Sequence, residues 1–216
     1  MLNIKEVKAT ELGRWYSALQ TDFDERELLP LSAVRRAVRR GDQEFLLFED
    51  EQTGIPEGYA LVCTRNVYGY VLLKYFGIFP WYREHGVGVA SMRLLHKRYA
   101  DRQGILAELT AFDDSDDGAY LRKLKRFFAR FGYTEVPCGY SLGGAKVTLT
   151  AKPVQGTAEI APVARRILLD YYSRCLRPGK LEEMLHVSDL NCHEGATLQP
   201  SLPVCLSTHT VLFFSF

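Results

Sequence analysis

Gly77-Ile78-Phe79-Pro80-Trp81-Tyr82-Arg83-Glu84-His85-Gly86-Val87-Gly88-Val89-Ala90 runs from an apolar stretch, through a proline and two closely spaced glycines, into a segment of helical periodicity. Just upstream, Tyr70 to Phe79 is β-rich and almost continuously apolar, interrupted by Lys74, which suits a strand near the middle of a sheet. Pro80 ends it. Downstream, Val89, Met92, His96 and Tyr99 recur at spacings of three and four with Leu95 beside them, so Val87 to Tyr99 reads as a helix. The order is therefore strand, tight loop, helix. A helix start leaves main-chain N–H groups unpaired and carries partial positive charge, and glycines let an anion reach that backbone. Arg83 adds a guanidinium suited to phosphate, and a pyrophosphate is the natural occupant.

Other nucleotide loops fit less well. No Gly-Lys-Ser or Gly-Lys-Thr follows, as a P-loop requires, and Gly86 to Ser91 matches the dinucleotide pattern only loosely. A plain strand-to-helix turn also uses glycine, so two glycines alone do not decide the matter.

Working outward, Leu2 to Val7 reads as a first strand, and Thr10 can cap a helix through Leu19 with Leu12, Trp15, Tyr16 and Leu19 on one face. Leu31 to Arg40 is a short basic helix closed by Gly41. Phe45 to Phe48 and Gly58 to Thr64 form a hairpin around Asp50, Gly54 and Pro56. Beyond the loop, Ile105 to Thr110 is a strand, and Ser115 with Asp116 and Asp117 starts a helix that ends near Phe131 and Gly132. Tyr133 to Pro137 and Lys146 to Ala151 supply two late strands, and Ala161 to Leu176 an added amphipathic helix. From Leu181 the composition shifts to a segment without Lys or Arg, which reads as an appendage.

Arg83-Glu84-His85-Gly86-Val87-Gly88 resembles the Arg/Gln-x-x-Gly-x-Gly/Ala acyl-CoA loop of the GNAT N-acetyltransferases, and Ile78, Pro80 and Tyr82 sit where that family has its usual residues. The order of elements from Leu2 to about Ala151 is similar as well. The resemblance implies an α+β fold with a mixed, mainly antiparallel central sheet flanked by helices on both faces. It also implies a domain over residues 1–155, with residues 156–216 forming a C-terminal helix and tail. Acetyl-CoA is the implied cosubstrate. Backbone N–H groups over His85, Gly86, Val87, Gly88 and Val89 would receive its pyrophosphate, with Arg83 and Glu84 in the same loop. Main-chain groups of Phe76 and Ile78 would pair with the pantetheine arm, in a cleft opened by splaying of the two neighbouring strands. Arg122 and Lys125 on the following helix are further candidates for CoA contact, against the alternative of a solvated basic face.

The implied reaction is attack of a primary amine, small or on a peptide, on the thioester within a complex holding both substrates. The amine must lose a proton, and Glu108 is the first choice of base: a charge on an apolar strand beside the cleft needs a reason. The alternative is that Glu108 pairs with a basic residue. A strand amide near Ile78, preorganised by a bulge, would meet the carbonyl oxygen. Many GNAT proteins resemble one another in protonating the thiolate from a tyrosine within Phe-Tyr-x-x-x-Gly-Phe. Here the segment is Phe127-Phe128-Ala129-Arg130-Phe131-Gly132-Tyr133, which puts Phe128 at that position and leaves Tyr120, Tyr133 or water as donor. A GNAT-fold sensor that binds acetyl-CoA with little catalysis is the competing reading.

Asp22, Asp24, Glu25 and Glu27, and Asp113, Asp114, Asp116 and Asp117, could attract a cationic amine, although acids at a helix start also serve its dipole. His85 could touch phosphate, and His96 packs on its helix. Cys192, His193, Cys205 and His209 fit no compact zinc pattern, so no metal is expected. A net charge of +1 demands neither nucleic acid nor an anionic membrane as partner. Lys5 and Lys8 interrupt any signal-like apolar start, and the five cysteines are odd in number and scattered, so a cytoplasmic chain is expected, compatible with a homodimer.

Overall fold

The computed structural model describes residues 1–23, 25, 28–65, 68–110, 117–138, 140–153 and 160–187. Among them nine strands form one sheet: β1 (Leu2–Glu6), β2 (Gln43–Asp50), β3 (Pro56–Cys63), β4 (Tyr70–Ile78), β5 (Gly104–Thr110), β6 (Thr134–Glu135), β7 (Tyr140–Leu142), β8 (Ala145–Pro153) and β9 (Leu185–Val187). Their order is β1-β2-β3-β4-β5-β8-β7-β9, with β6 on β8. Every pairing is antiparallel except that of β4 with β5. This is the α+β class expected from the sequence.

Helices cover both faces. On one lie α1 (Leu12–Asp22), α2 (Leu31–Arg39) and α5 (Ala161–Cys175), and on the other α3 (Val87–Arg98) and α4 (Asp117–Ala129). The pleat divides β4 between these layers: Leu72 faces α1, α2 and α5, whereas Val71 and Leu73 face α3 and α4. All nine residues of β4 are buried, which is why its sequence is apolar on both faces. Met92 and Leu95 of α3 and Leu124 and Phe128 of α4 fill the second layer, each worth about 1.5–3 kcal/mol of transfer free energy.

Several elements differ from the sequence reading. The first helix begins at Leu12 and runs to Asp22, and its N-cap, Glu11, makes no side-chain cap bond, so Thr10 does not serve as the cap. The late strands number more than two. Gly143 and Gly144, both at positive φ, turn the chain between β7 and β8, and such a turn needs residues that accept the left-handed region. The chain after α5 continues as α6 (Pro178–Met184) and β9, which pairs with β7. Ala164, Ile167, Leu168 and Tyr172 of α5 share a core cluster with Leu106 and Leu149, so the layers are continuous across the expected 155/156 division. The later part of the expected tail, residues 188–216, lies outside the described residues, as do Cys192, His193, Cys205 and His209.

Candidate functional site

Three features converge at the C-terminal end of β4. The first is the loop. A 3-10 turn, Pro80–Tyr82, follows the strand, and α3 opens on Gly86, whose φ of 79° lies in the left-handed region. A Cβ there would meet nothing within 4 Å, so glycine is required by backbone conformation while the space above it stays open. The first intrahelical bond runs from Ala90 N–H to Gly86 O (3.1 Å), and no acceptor among the described residues meets the N–H groups of residues 84–89. Glu84, at φ 65°, is the one non-glycine described residue at positive φ, a local strain of order 1–2 kcal/mol that the loop holds in place.

The second feature is a cavity of about 350 Å³ beside the loop, lined by Glu84, Gly86, Gly88 and Val89 on one side and by Lys123, Arg126 and Phe127 of α4 and Arg130 just after it on the other. Those four residues stand at i, i+3, i+4 and i+7, one stripe along the helix and its C-terminal turn. Burial of Leu124 and Phe128 fixes that orientation. Arg122 and Lys125 are not on this stripe: Arg122 is exposed elsewhere, and Lys125 pairs with Glu135 at 2.8 Å. The basic face next to the loop is thus built from neighbours of the residues the sequence reading singled out.

The third feature is a fork. β4 and β5 pair only over Tyr70↔Gly104 to Leu73↔Ala107, after which both strands continue apart, β4 to Ile78 and β5 to Thr110. At the same point the β3–β4 register jumps from Leu61↔Tyr75 to Val62↔Leu73, making Lys74 the extra residue of a bulge. The bulge therefore lies four residues before Ile78. Phe79 N–H donates to Glu57 O (2.9 Å), and the alternation of an antiparallel ladder then turns the main-chain groups of Phe76 and Ile78 away from β3, toward the fork.

Arg83 is held inward. Its Nε donates to Ile78 O (2.9 Å), and its Nη2 bonds Asp22 Oδ1 (3.2 Å), whose other oxygen accepts from the Tyr59 hydroxyl (2.5 Å). Its guanidinium ties the loop to β4 and to the end of α1, and it does not line the cavity. Asp22 is correspondingly committed; Asp24, Glu27, Asp113, Asp114 and Asp116 lie outside the described residues. His85 is exposed and also absent from the cavity lining, and Val87 turns its side chain into the core.

Glu108 is fully buried in the pairing arrangement. Its Oε2 accepts from Lys74 Nζ at 2.6 Å, its Oε1 from the Tyr140 hydroxyl at 2.7 Å, and the Tyr172 hydroxyl donates to it at 2.8 Å. Lys74 Nζ also donates to the Tyr172 oxygen at 2.7 Å. Burial, then the Glu108 charge, pushes the Tyr140 and Tyr172 phenols well above their ordinary range. With both oxygens accepting bonds and the ion pair wholly buried, Glu108 stands in the pairing arrangement that the sequence offered as the alternative to a general base. Tyr133 is equally committed: its hydroxyl meets His96 Nε2 (3.2 Å) and Met92 Sδ (3.8 Å) on the opposite face of the sheet. Burial raises its phenol. Tyr120, in the first turn of α4, packs with the cluster containing Phe76 and Ile78. The structure therefore does not bring Glu108, Tyr120 and Tyr133 together. Phe128 is a buried packing residue, edge-on to Tyr133 at 5.0 Å.

The arrangement can hold an extended anionic ligand: loop amides and a basic stripe for phosphates, and an open strand edge for an amide-bearing arm. Among the described residues no group of three or more His, Cys, Asp or Glu could hold a metal ion, and no helix is long and apolar enough to cross a membrane.

No family model and no curated protein matches this sequence. Solved structures do. A candidate acetyltransferase from the GNAT family of Bacteroides thetaiotaomicron superposes with a TM-score of 0.62 at 14% identity, covering 81% of this chain and 99% of that one. The ribosomal-protein-S18-alanine N-acetyltransferase of Escherichia coli gives 0.52 at 14% identity, covering 74% and 97%. Spermidine N-acetyltransferase from Vibrio cholerae, in complex with CoA and spermine, gives 0.53 at 11% identity, covering 70% and 95%. The fold is that of the GNAT acetyltransferases.

Proposed function

We propose that this chain binds acetyl-CoA and transfers its acetyl group to a primary amine in a complex holding both substrates. The observation that carries the reading is the fork: β4 and β5 part after Leu73↔Ala107, directly upstream of a loop whose amides are unpaired. The pyrophosphate lies on the N–H groups of residues 85–89, with Lys123, Arg126 and Arg130 alongside. The pantetheine arm lies along β4, against the main-chain groups of Phe76 and Ile78. Arg83 acts by bracing the loop. Glu108 acts as the partner of Lys74, and water removes the amine proton. Tyr120, which packs with the cluster containing Phe76 and Ile78, is the proposed proton donor to the departing thiolate.

The neighbours act on spermidine or on the alanine N-terminus of a ribosomal protein, which supports an amine as acceptor. Free-thiol release from acetyl-CoA across polyamines, amino acids and peptide N-termini tests the assignment, with amine-dependent release expected and its absence across the panel counting against it. Two observations favour the sensor reading: Phe128 stands where the resemblance puts the usual acid, and Glu108 is buried in its pair with Lys74. Saturable acetyl-CoA binding without transfer to any amine would select it.

A further inference from the structure

We propose that Lys74 is a catalytic residue: its ammonium, clamped at the crotch of the fork by Glu108 and Tyr172, donates its remaining N–H to the thioester carbonyl oxygen. The inference rests on the acetyl-CoA reading above and adds to it a residue, a role and a contribution from the C-terminal helix.

Placement is the first argument. Leu73 and Ala107 form the last β4–β5 pair, and Lys74 and Glu108 are the next residue on each strand. Where the main-chain ladder stops, a side-chain ion pair of 2.6 Å takes over and closes the crotch. The bulge makes this possible. Because Lys74 is the extra residue, Lys74 and Tyr75 both turn toward the α1, α2 and α5 layer, which brings the ammonium to Tyr172 of α5.

Valence is the second. An ammonium has three N–H donors. Glu108 and the Tyr172 oxygen take two of them, and no acceptor among the described residues takes the third, although Nζ is fully buried. The Tyr75 and Tyr172 rings, each 5.2 Å from Nζ, provide cation–π contact but no lone pair. A buried donor without an acceptor is destabilising, and a ligand oxygen arriving at that point relieves the cost.

Reach is the third. From its phosphate to its sulfur a pantetheine arm has about twelve bonds, the length of ~4 extended residues or ~13–14 Å. Arg83 Nε on Ile78 O holds the phosphate loop beside Ile78. An arm starting there and running antiparallel to the chain direction of β4 ends four residues back, at Lys74.

In the step itself the amine lone pair forms the C–N bond while the C=O π pair moves onto oxygen, facing Lys74. The pair returns as the C–S bond breaks. The amine's proton goes to water and the thiolate takes one up, so amide and thiol are the only products. Lys74 keeps its protons throughout, as a fixed positive donor where negative charge develops.

The test is the ¹³C resonance of acetyl-CoA labelled at the carbonyl carbon. Bound to the wild-type chain, the resonance should move downfield of its free position, as hydrogen bonding polarises the carbonyl. In Lys74→Met/Glu108→Leu, which removes the donor without stranding a carboxylate, binding should persist and the resonance should return toward the free value. Amine-dependent thiol release in that variant should fall by about 10²–10³-fold with an unchanged KM for acetyl-CoA. An unshifted carbonyl in the wild-type complex overturns the proposal whatever the variant does, as does a shift that survives in the double variant. Failure of the wild-type chain to bind acetyl-CoA at all would instead remove the cosubstrate assignment, and this role with it.

Discussion

Replacing Glu108 by Leu alone should cost far more stability than replacing Glu108 and Lys74 together. In the single variant the ammonium keeps only the Tyr172 oxygen as an acceptor, and Nζ remains buried. Stranding one member of a buried pair costs about 3–5 kcal/mol, because the remaining charge has lost its water and its partner. For a chain of 216 residues, each kcal/mol moves Tm by roughly 2–4 °C, so the single variant should melt roughly 6–20 °C lower. In Lys74→Met/Glu108→Leu both desolvation penalties disappear and the volume is refilled with apolar atoms, an exchange that is often neutral or favourable in comparable sites. Tyr140 and Tyr172 lose their carboxylate acceptor, which holds back full recovery by about 1–3 kcal/mol. Thermal and urea melts of wild type, both single variants and the double variant complete the cycle. The double variant should be more stable than the Glu108→Leu single. Simple addition of the two single losses would refute the claim that the groups are coupled, and a Glu108→Leu loss below about 1 kcal/mol would refute the buried pair itself.

Gly77→Ala should destabilise the fold by about 1–3 kcal/mol, since a Cβ there would stand 2.5 Å from Tyr59 Cζ and 2.6 Å from its hydroxyl, forcing the ring off Asp22; an unchanged urea midpoint would contradict it. Burial, with the Lys152 charge adding to it, pulls His96 down from 6.5 to about 4. Its neutral form is therefore favoured by folding, so its contribution is complete above about pH 6.5 and is lost as the pH falls toward 4. The ceiling of ~3 kcal/mol shrinks to about 1–2 because the ring is only partly buried. His96→Gln should flatten this acid limb of the stability profile, and an unaltered limb would exclude His96 as its source. Arg126→Glu/Arg130→Glu should weaken CoA binding and reduce its salt dependence while leaving Tm near wild type, because both side chains are exposed on the cavity rim. Equal affinity at low salt would place the phosphates elsewhere.

The loop and the order of elements were legible because they rest on local signals. Gly86 and Gly88 stand between a strand pattern and a helix pattern, and each is read within a few residues. The bulge was not legible in this way. Lys74 interrupts an apolar run, but only the register against β3 shows that it is an extra residue, and its partners Glu108 and Tyr172 lie 34 and 98 residues away. The same distance explains Arg83, whose commitment to Asp22 spans 61 residues. On α4 the signal was present and ambiguous. Arg122, Lys123, Lys125, Arg126 and Arg130 encircle much of the helix, and only the inward packing of Leu124 and Phe128 decides which of them face the loop. β7 could have been found from Gly143-Gly144 after Tyr140-Ser-Leu, a hairpin signal, whereas β9 is too short to announce itself.

The most direct test is amide NMR of the chain titrated with CoA. If diphosphate oxygens sit on the mouth of α3, the N–H resonances of residues 85–89 should move downfield in a saturable way, and Gly86→Glu should abolish both the shifts and the affinity. CoA binding that leaves those amides unmoved, or that survives Gly86→Glu, would contradict the site.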